Sequence, residues 1–190
     1  ISLKSVQLPD ELSKIGYEAF YGCSALESIN YPKSLKETGW SVFNKCISLK
    51  NIEVPEGVIL LPDNAFYGSS LTNVKLPSTL KTIGDYAFMY CDDLTDLVIP
   101  DGVTSIGEQT FYECTSLKTI VIPESLRKLG YEAFYGCKSL EKLNYPSNVN
   151  DLGWNVFNGC DNLTLYFDDI SKNVIDVIDM GVSFVVNSNE

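Results

Sequence analysis

The chain has 190 residues, 45% of them hydrophobic, with a formal charge of −11 at pH 7 and no histidine. Without histidine there is no Ser-His-Asp or Cys-His catalysis and no His-ligated metal site. The acidity disfavours nucleic acid and anionic lipid as partners, and no run approaches the roughly 18 apolar residues that span a bilayer.

The chain opens on Ile1-Ser2-Leu3-Lys4-Ser5-Val6, in which Ser2 to Val6 align with Ser116-Leu117-Lys118-Thr119-Ile120. It is therefore expected to begin inside a strand unit, as a piece of a longer secreted protein with residues upstream. From there the sequence is periodic. Phenylalanines stand at Phe20, Phe43, Phe66, Phe88, Phe111, Phe134 and Phe157, in steps of 23 with one step of 22. Prolines run from Pro9 to Pro146, and glycines from Gly16 to Gly153, in the same rhythm. A unit this short cannot bury its apolar face alone, so the copies must stack as one elongated solenoid.

The third copy departs from the pattern in three places. Pro62 replaces the column glycine, Ser69 replaces the column cysteine, and one residue is missing before Leu71. That single deletion explains the short step, and Pro62 predicts a local distortion. The other copies carry Cys23, Cys46, Cys91, Cys114, Cys137 and Cys160 three positions after each phenylalanine. Parallel coils bring such thiols roughly 4.8 Å apart, but parallel Cβ vectors suit a disulfide dihedral poorly. Buried free thiols are expected.

The copy from Leu117 shows the logic of one unit. Ile120 and Ile122 alternate with Thr119 and Val121, the period of a strand with one face inward, and Pro123 ends it. Leu126, Leu129, Ala133, Phe134 and Cys137 then follow at spacings of three and four, which predicts one or two helical turns on the return leg. The glycine column marks a positive φ or a close approach that a side chain would block.

Residues 16–49 match residues 130–163 at 20 of 34 positions, an offset of five coils. Recent duplication explains the identity; the alternative is that Tyr17 with Trp40 and Tyr131 with Trp154 form two equivalent aromatic sites one superhelical segment apart. Tyr21, Tyr67, Tyr112 and Tyr135, with Met89 between, form a further candidate rim. On the outer sheet face the candidates are Asn51, Asn73 and Asp96 in one column, and Val98 beside Val121 in the next. After Leu165 the rhythm stops. Ser171 to Met180 predicts a capping helix, and Val182 to Val186 a strand. The solenoid is placed at 1–167 and the helix-strand cap and tail at 168–190.

The pattern Leu94, Leu97, Ile99, Pro100, then Val103, Ile106, Gly107, Phe111 and Cys114, repeated from Leu3 to about Leu165, resembles the leucine-rich repeat subclass of BspA surface proteins and related treponemal proteins. The resemblance implies an α/β leucine-rich repeat solenoid of about seven coils plus a C-terminal cap. Its parallel sheet would lie on the concave face and its short helical turns on the return leg. It also implies an extracellular or cell-surface protein of bacteria, or of some protists, built for adhesion and binding, with no catalytic residues to carry over. A monomer with no cofactor or metal, and a protein or glycan ligand, are expected. The alternative is a spacer domain within a larger extracellular, polysaccharide-degrading protein. Scattered carboxylates with no paired placement leave an enzyme as the weakest reading.

Overall fold

A computed structural model describes residues 2–167 and 181–186. Two parallel ladders of short strands, numbered β1 to β16 along the chain, run through the stacked coils. The first ladder holds β1 (Ser5–Val6), β3 (Ser28–Ile29), β5 (Asn51–Glu53), β7 (Asn73–Lys75), β9 (Asp96–Val98), β11 (Thr119–Val121), β13 (Lys142–Asn144), β15 (Thr164–Phe167) and β16 (Ser183–Val186). The second holds β2 (Lys14–Ile15), β4 (Glu37–Thr38), β6 (Leu60–Leu61), β8 (Thr82–Ile83), β10 (Ser105–Ile106), β12 (Lys128–Leu129) and β14 (Asp151–Leu152). Strand pairing in the first ladder runs β1-β3, β5-β7 and β9-β11-β13-β15-β16, and in the second β2-β4 and β6-β8-β10-β12-β14.

Alternation sets which residues face inward. In β11 Ile120 is buried between exposed Thr119 and Val121, and β5, β9 and β13 repeat the pattern with Ile52, Leu97 and Leu143. Proline has no amide proton to offer a ladder, so it closes the strand and its carbonyl opens a tight turn. Leu126 N–H donates to the Pro123 carbonyl at 3.1 Å, and Leu80 to Pro77 at the same distance.

The return leg is not helical; among the described residues there is no helix. Each coil instead passes through a second two-residue strand and then a run of turns whose hydrogen bonds leave the coil. In the sixth coil the N–H groups of Glu132, Phe134 and Gly136 donate to the carbonyls of Trp154, Val156 and Asn158 in the next coil, at 2.9, 2.9 and 2.8 Å. Two positions per coil hold positive φ: Glu18 to Asn155 in one column at 48–59°, and Gly22 to Gly159 in the other at 53–76°. Left-handed residues break a helix, so the spacing of three and four reports the shape of a coil. The segment 171–180, where a capping helix is expected, lies outside the described residues. The last predicted strand is present as β16, parallel to β15 with Leu165 opposite Phe184.

The glycine column answers to close approach. A Cβ on Gly130 would lie 2.5 Å from the carbonyl carbon of Gly107, and one on Gly39 would lie 2.4 Å from Tyr17 N. Each of these glycines from Gly39 on donates its N–H to the preceding coil, as Gly130 does to the Ile106 carbonyl at 3.0 Å. Pro62 has no such donor, yet Leu60–Leu61 keep register with Thr82–Ile83. The distortion expected at Pro62 lies on its other side, where β6 does not pair with β4 and the second ladder is interrupted. The deletion before Leu71 falls at the corner after the cysteine position. Leu94 and Leu117 there donate to Cys91 and Cys114, each at 3.1 Å. The ladder crosses this corner in register, Asn51 opposite Asn73.

Inside, the phenylalanines form one column from Phe20 to Phe157, with ring centroids 5.0–5.7 Å apart and planes within 4–27°. All except Phe20 are fully buried. The six cysteines are free and buried beside them. From Cys46 on, each thiol donates to a phenylalanine carbonyl of the preceding coil, with Sγ···O distances of 3.0–3.2 Å. Ser69 takes the vacant position and sits 3.5 Å from Cys91 Sγ.

Candidate binding surface

Each coil presents three outward faces: the two strand ladders and the turn segment from the glycine column to the cysteine. On the first ladder Asn51, Asn73, Asp96, Val98 and Val121 are all exposed. Asn51 pairs with Asn73 and Val98 with Val121 in register. The two valines are 64% and 57% exposed and form an apolar spot on this face. Two of its charge pairs join adjacent coils: Lys75 Nζ lies 2.5 Å from Glu53 Oε1, and Lys4 3.7 Å from Glu27. The second ladder does the same, with Lys14 3.0 Å from Glu37 and Lys128 3.7 Å from Asp151.

The turn face differs in kind. The column after the glycine reads Tyr17, Trp40, Asp63, Asp85, Glu108, Tyr131, Trp154, so two aromatic pairs flank three acids. Tyr17 and Trp40 stack with centroids 5.5 Å apart and planes 27° from parallel. Tyr131 and Trp154 make no such stack. Trp154 is 81% exposed, and Glu132 beside Tyr131 holds the tyrosine's phenol above the ordinary value. The duplicated halves therefore carry the same residues in different arrangements. Between them the acids cap backbone, Asp63 Oδ1 accepting from Asp85 N–H at 2.9 Å and Asp85 Oδ1 from Glu108 N–H at 2.8 Å.

Four positions further along each coil lies the tyrosine row. Tyr67, Tyr112 and Tyr135 are half-buried, and Tyr21 is exposed at the end without a ring neighbour among the described residues. Met89 does not fill the gap between Tyr67 and Tyr112; Tyr90 does. Its ring lies 5.6 Å from Tyr67 and 5.8 Å from Tyr112, edge-on to both, and Tyr112 stacks on Tyr135 at 4.8 Å. Four rings on four successive coils thus form a continuous ribbon. Offset by one residue, Tyr90 escapes a reading by strict period; the Met-Tyr pair after Phe88 is the available signal. Tyr86 is a second half-buried tyrosine of this face that periodic columns pass over. Partial burial raises the Tyr90 and Tyr112 phenols above their ordinary value, and the neighbouring tyrosines and Glu113 add to it.

Among the described residues no three Cys, Asp or Glu side chains gather where they could hold a metal ion, and no helix is long and apolar enough to cross a membrane. What the surface offers is aromatic rings and carboxylates held side by side on successive coils.

A family model described as BspA type leucine rich repeat region, in 6 copies, matches residues 1–95 and 81–177. The chain belongs to this family. Among solved structures it is similar to a leucine-rich repeat protein from Bacteroides ovatus, at 34% identity and a TM-score of 0.72 over 97% of this chain and 42% of that one. It is similar in fold to the leucine rich repeat protein of T. pallidum, at 24% identity and a TM-score of 0.64 over 97% of this chain and 86% of that one. No curated protein sequence matches it significantly. The chain thus spans less than half of the B. ovatus protein.

Proposed function

We propose that this chain is a non-enzymatic binding module of a bacterial cell-surface protein, recognising a protein or glycan through the outer surface of its solenoid. The observation that carries this is Trp154, 81% exposed on the same column as the 45% exposed Trp40. An indole left in water on a rigid frame forgoes burial worth roughly 1.5–3 kcal/mol for a large apolar side chain, which a ligand can recover. The resemblance to BspA surface proteins is the ground for the surface setting, and the continuous, buried phenylalanine column supports a scaffold role.

The test is a glycan and matrix-protein array probed with the chain and with Trp40→Ala and Trp154→Ala. Binding lost in either variant supports the proposal, and binding unchanged in both removes the tryptophans from it. A spacer role is the second reading. It is favoured by the coverage of 42% of the B. ovatus protein, which is long enough to hold further units, and silence across the whole array would select it.

A further inference from the structure

We infer that the turn face binds an extended, arginine-bearing segment of a protein partner along the Tyr67-Tyr90-Tyr112-Tyr135 ribbon. This rests on the reading of the chain as a binding module and specifies its ligand. The first ground is charge. The turn face carries Glu18, Asp63, Asp85, Glu108, Glu113 and Glu132 against the single cation Lys45. On the strand ladders Glu27, Glu37, Glu53 and Asp151 each meet a lysine from an adjacent coil and Asp96 does not, whereas of the six acids on the turn face only Glu113 has a lysine, Lys138 at 3.7 Å. The remaining partners are neutral: Asp63 and Asp85 accept from backbone N–H, and Glu132 accepts from Gln109 Nε2 at 2.5 Å. These donors orient the carboxylates without cancelling their charge.

The second ground is the ribbon itself. Ring-to-ring steps of 5.6, 5.8 and 4.8 Å place four π surfaces in line, with Glu113 and Glu132 on the coils of Tyr112 and Tyr135. Gly136 leaves the Glu113 carboxylate its room, since a Cβ there would lie 2.6 Å from Glu113 Cδ. A planar guanidinium stacks on a tyrosine and forks to a carboxylate at once, which neither a lysine nor a sugar does as well. Four coils span about 15 Å, the reach of four or five extended residues. A neutral glycan would stack on the rings and donate hydroxyls to the carboxylates but leave their charge uncompensated, while a second copy of this chain brings its own charge of −11.

The experiment measures fluorescence anisotropy of dye-labelled deca-arginine, deca-lysine and cellohexaose with the 190-residue chain. Deca-arginine is expected to bind most tightly and to weaken with salt. Glu113→Gln with Glu132→Gln is expected to weaken it about ten-fold, and Tyr90→Ser with Tyr112→Ser about as much. Glu37→Gln with Glu53→Gln makes the same charge change on the ladders and is expected to stay within about two-fold. Equal loss in both glutamate pairs, or equal binding of deca-arginine and deca-lysine, overturns the inference. The two glutamate pairs decide the matter even where the tyrosine pair fails to fold, which circular dichroism reveals. Array binding without deca-arginine binding overturns this inference and leaves the binding-module reading standing; no binding to any probe overturns both.

Discussion

The thiol of Cys114 donates to the carbonyl oxygen of Phe88 one coil earlier, at 3.1 Å. That carbonyl also accepts the Cys91 N–H at 3.0 Å, so one oxygen ties its own coil closed and the next coil down. The role needs a protonated sulfur, and burial supplies it. Desolvation pushes Cys46 and Cys91 up to about 12 and Cys114 and Cys137 well above the ordinary value of 9.0.

Alkali is therefore expected to destabilise the fold well before it damages it chemically. Below pH 9 the thiol is neutral in both states and its contribution is complete. Above that the unfolded thiol ionises while the folded one does not, so stability falls as pH rises from about 9 toward about 12. Urea midpoints at pH 7.5, 9 and 10.5 under reducing conditions should decline, and Cys91→Ser with Cys114→Ser should flatten the decline. A midpoint independent of pH over that range would refute it.

Phe111 sits between Phe88 at 5.4 Å and Phe134 at 5.0 Å, fully buried. Truncation to alanine should cost about 3–5 kcal/mol in urea unfolding, and leucine at the same place about half of that. Because coils touch only their neighbours, hydrogen exchange should accelerate first in the adjoining coils rather than uniformly.

Two glycines of one column should answer differently to alanine. Gly130→Ala places a methyl 2.5 Å from backbone of the preceding coil and should lose about 1–3 kcal/mol, whereas Gly16→Ala meets nothing within 4 Å and should stay within about 0.5 kcal/mol. Thermal unfolding of the pair checks it. Equal effects would mean that a shared backbone conformation, and not contact, fixed the glycine.

The two tryptophans should separate stability from binding. Trp40→Ala removes a 5.5 Å stack on Tyr17 and should cost about 0.5–1.5 kcal/mol, while Trp154→Ala removes a side chain that is 81% exposed and should leave the midpoint unchanged. Loss of array binding in Trp154→Ala at unchanged stability would assign the indole to recognition.

The core was legible in the sequence because a stack forces every copy to solve the same packing problem, so Phe, Pro, Gly and Cys recur at fixed offsets. The same periodicity misled at the return leg. Leu126, Leu129, Ala133, Phe134 and Cys137 all face inward, as a helix would have them, but Glu132 has φ 52° and its N–H leaves for Trp154. Inward spacing reports which residues are buried and not where the backbone amides go. Glycine after tyrosine at Gly22, Gly68 and Gly136 was the signal of left-handed backbone there. The surface was less legible still. Nothing in a column of letters shows that Tyr17 and Trp40 stack while Tyr131 and Trp154 do not, and Tyr90 entered the ribbon from a neighbouring column.

No covalent bridge joins one coil to another, since all six cysteines are free. Coil holds to coil through noncovalent contacts alone, hydrogen bonds, stacked rings, aliphatic packing and ion pairs, so the stack is mechanically a zipper. Pulled from its ends, it gives way coil by coil, each 23-residue unit releasing roughly 80 Å of slack chain and the next still gripping. Tension is thus absorbed in increments, with no single point of failure and nothing to be chemically repaired before the coils close again.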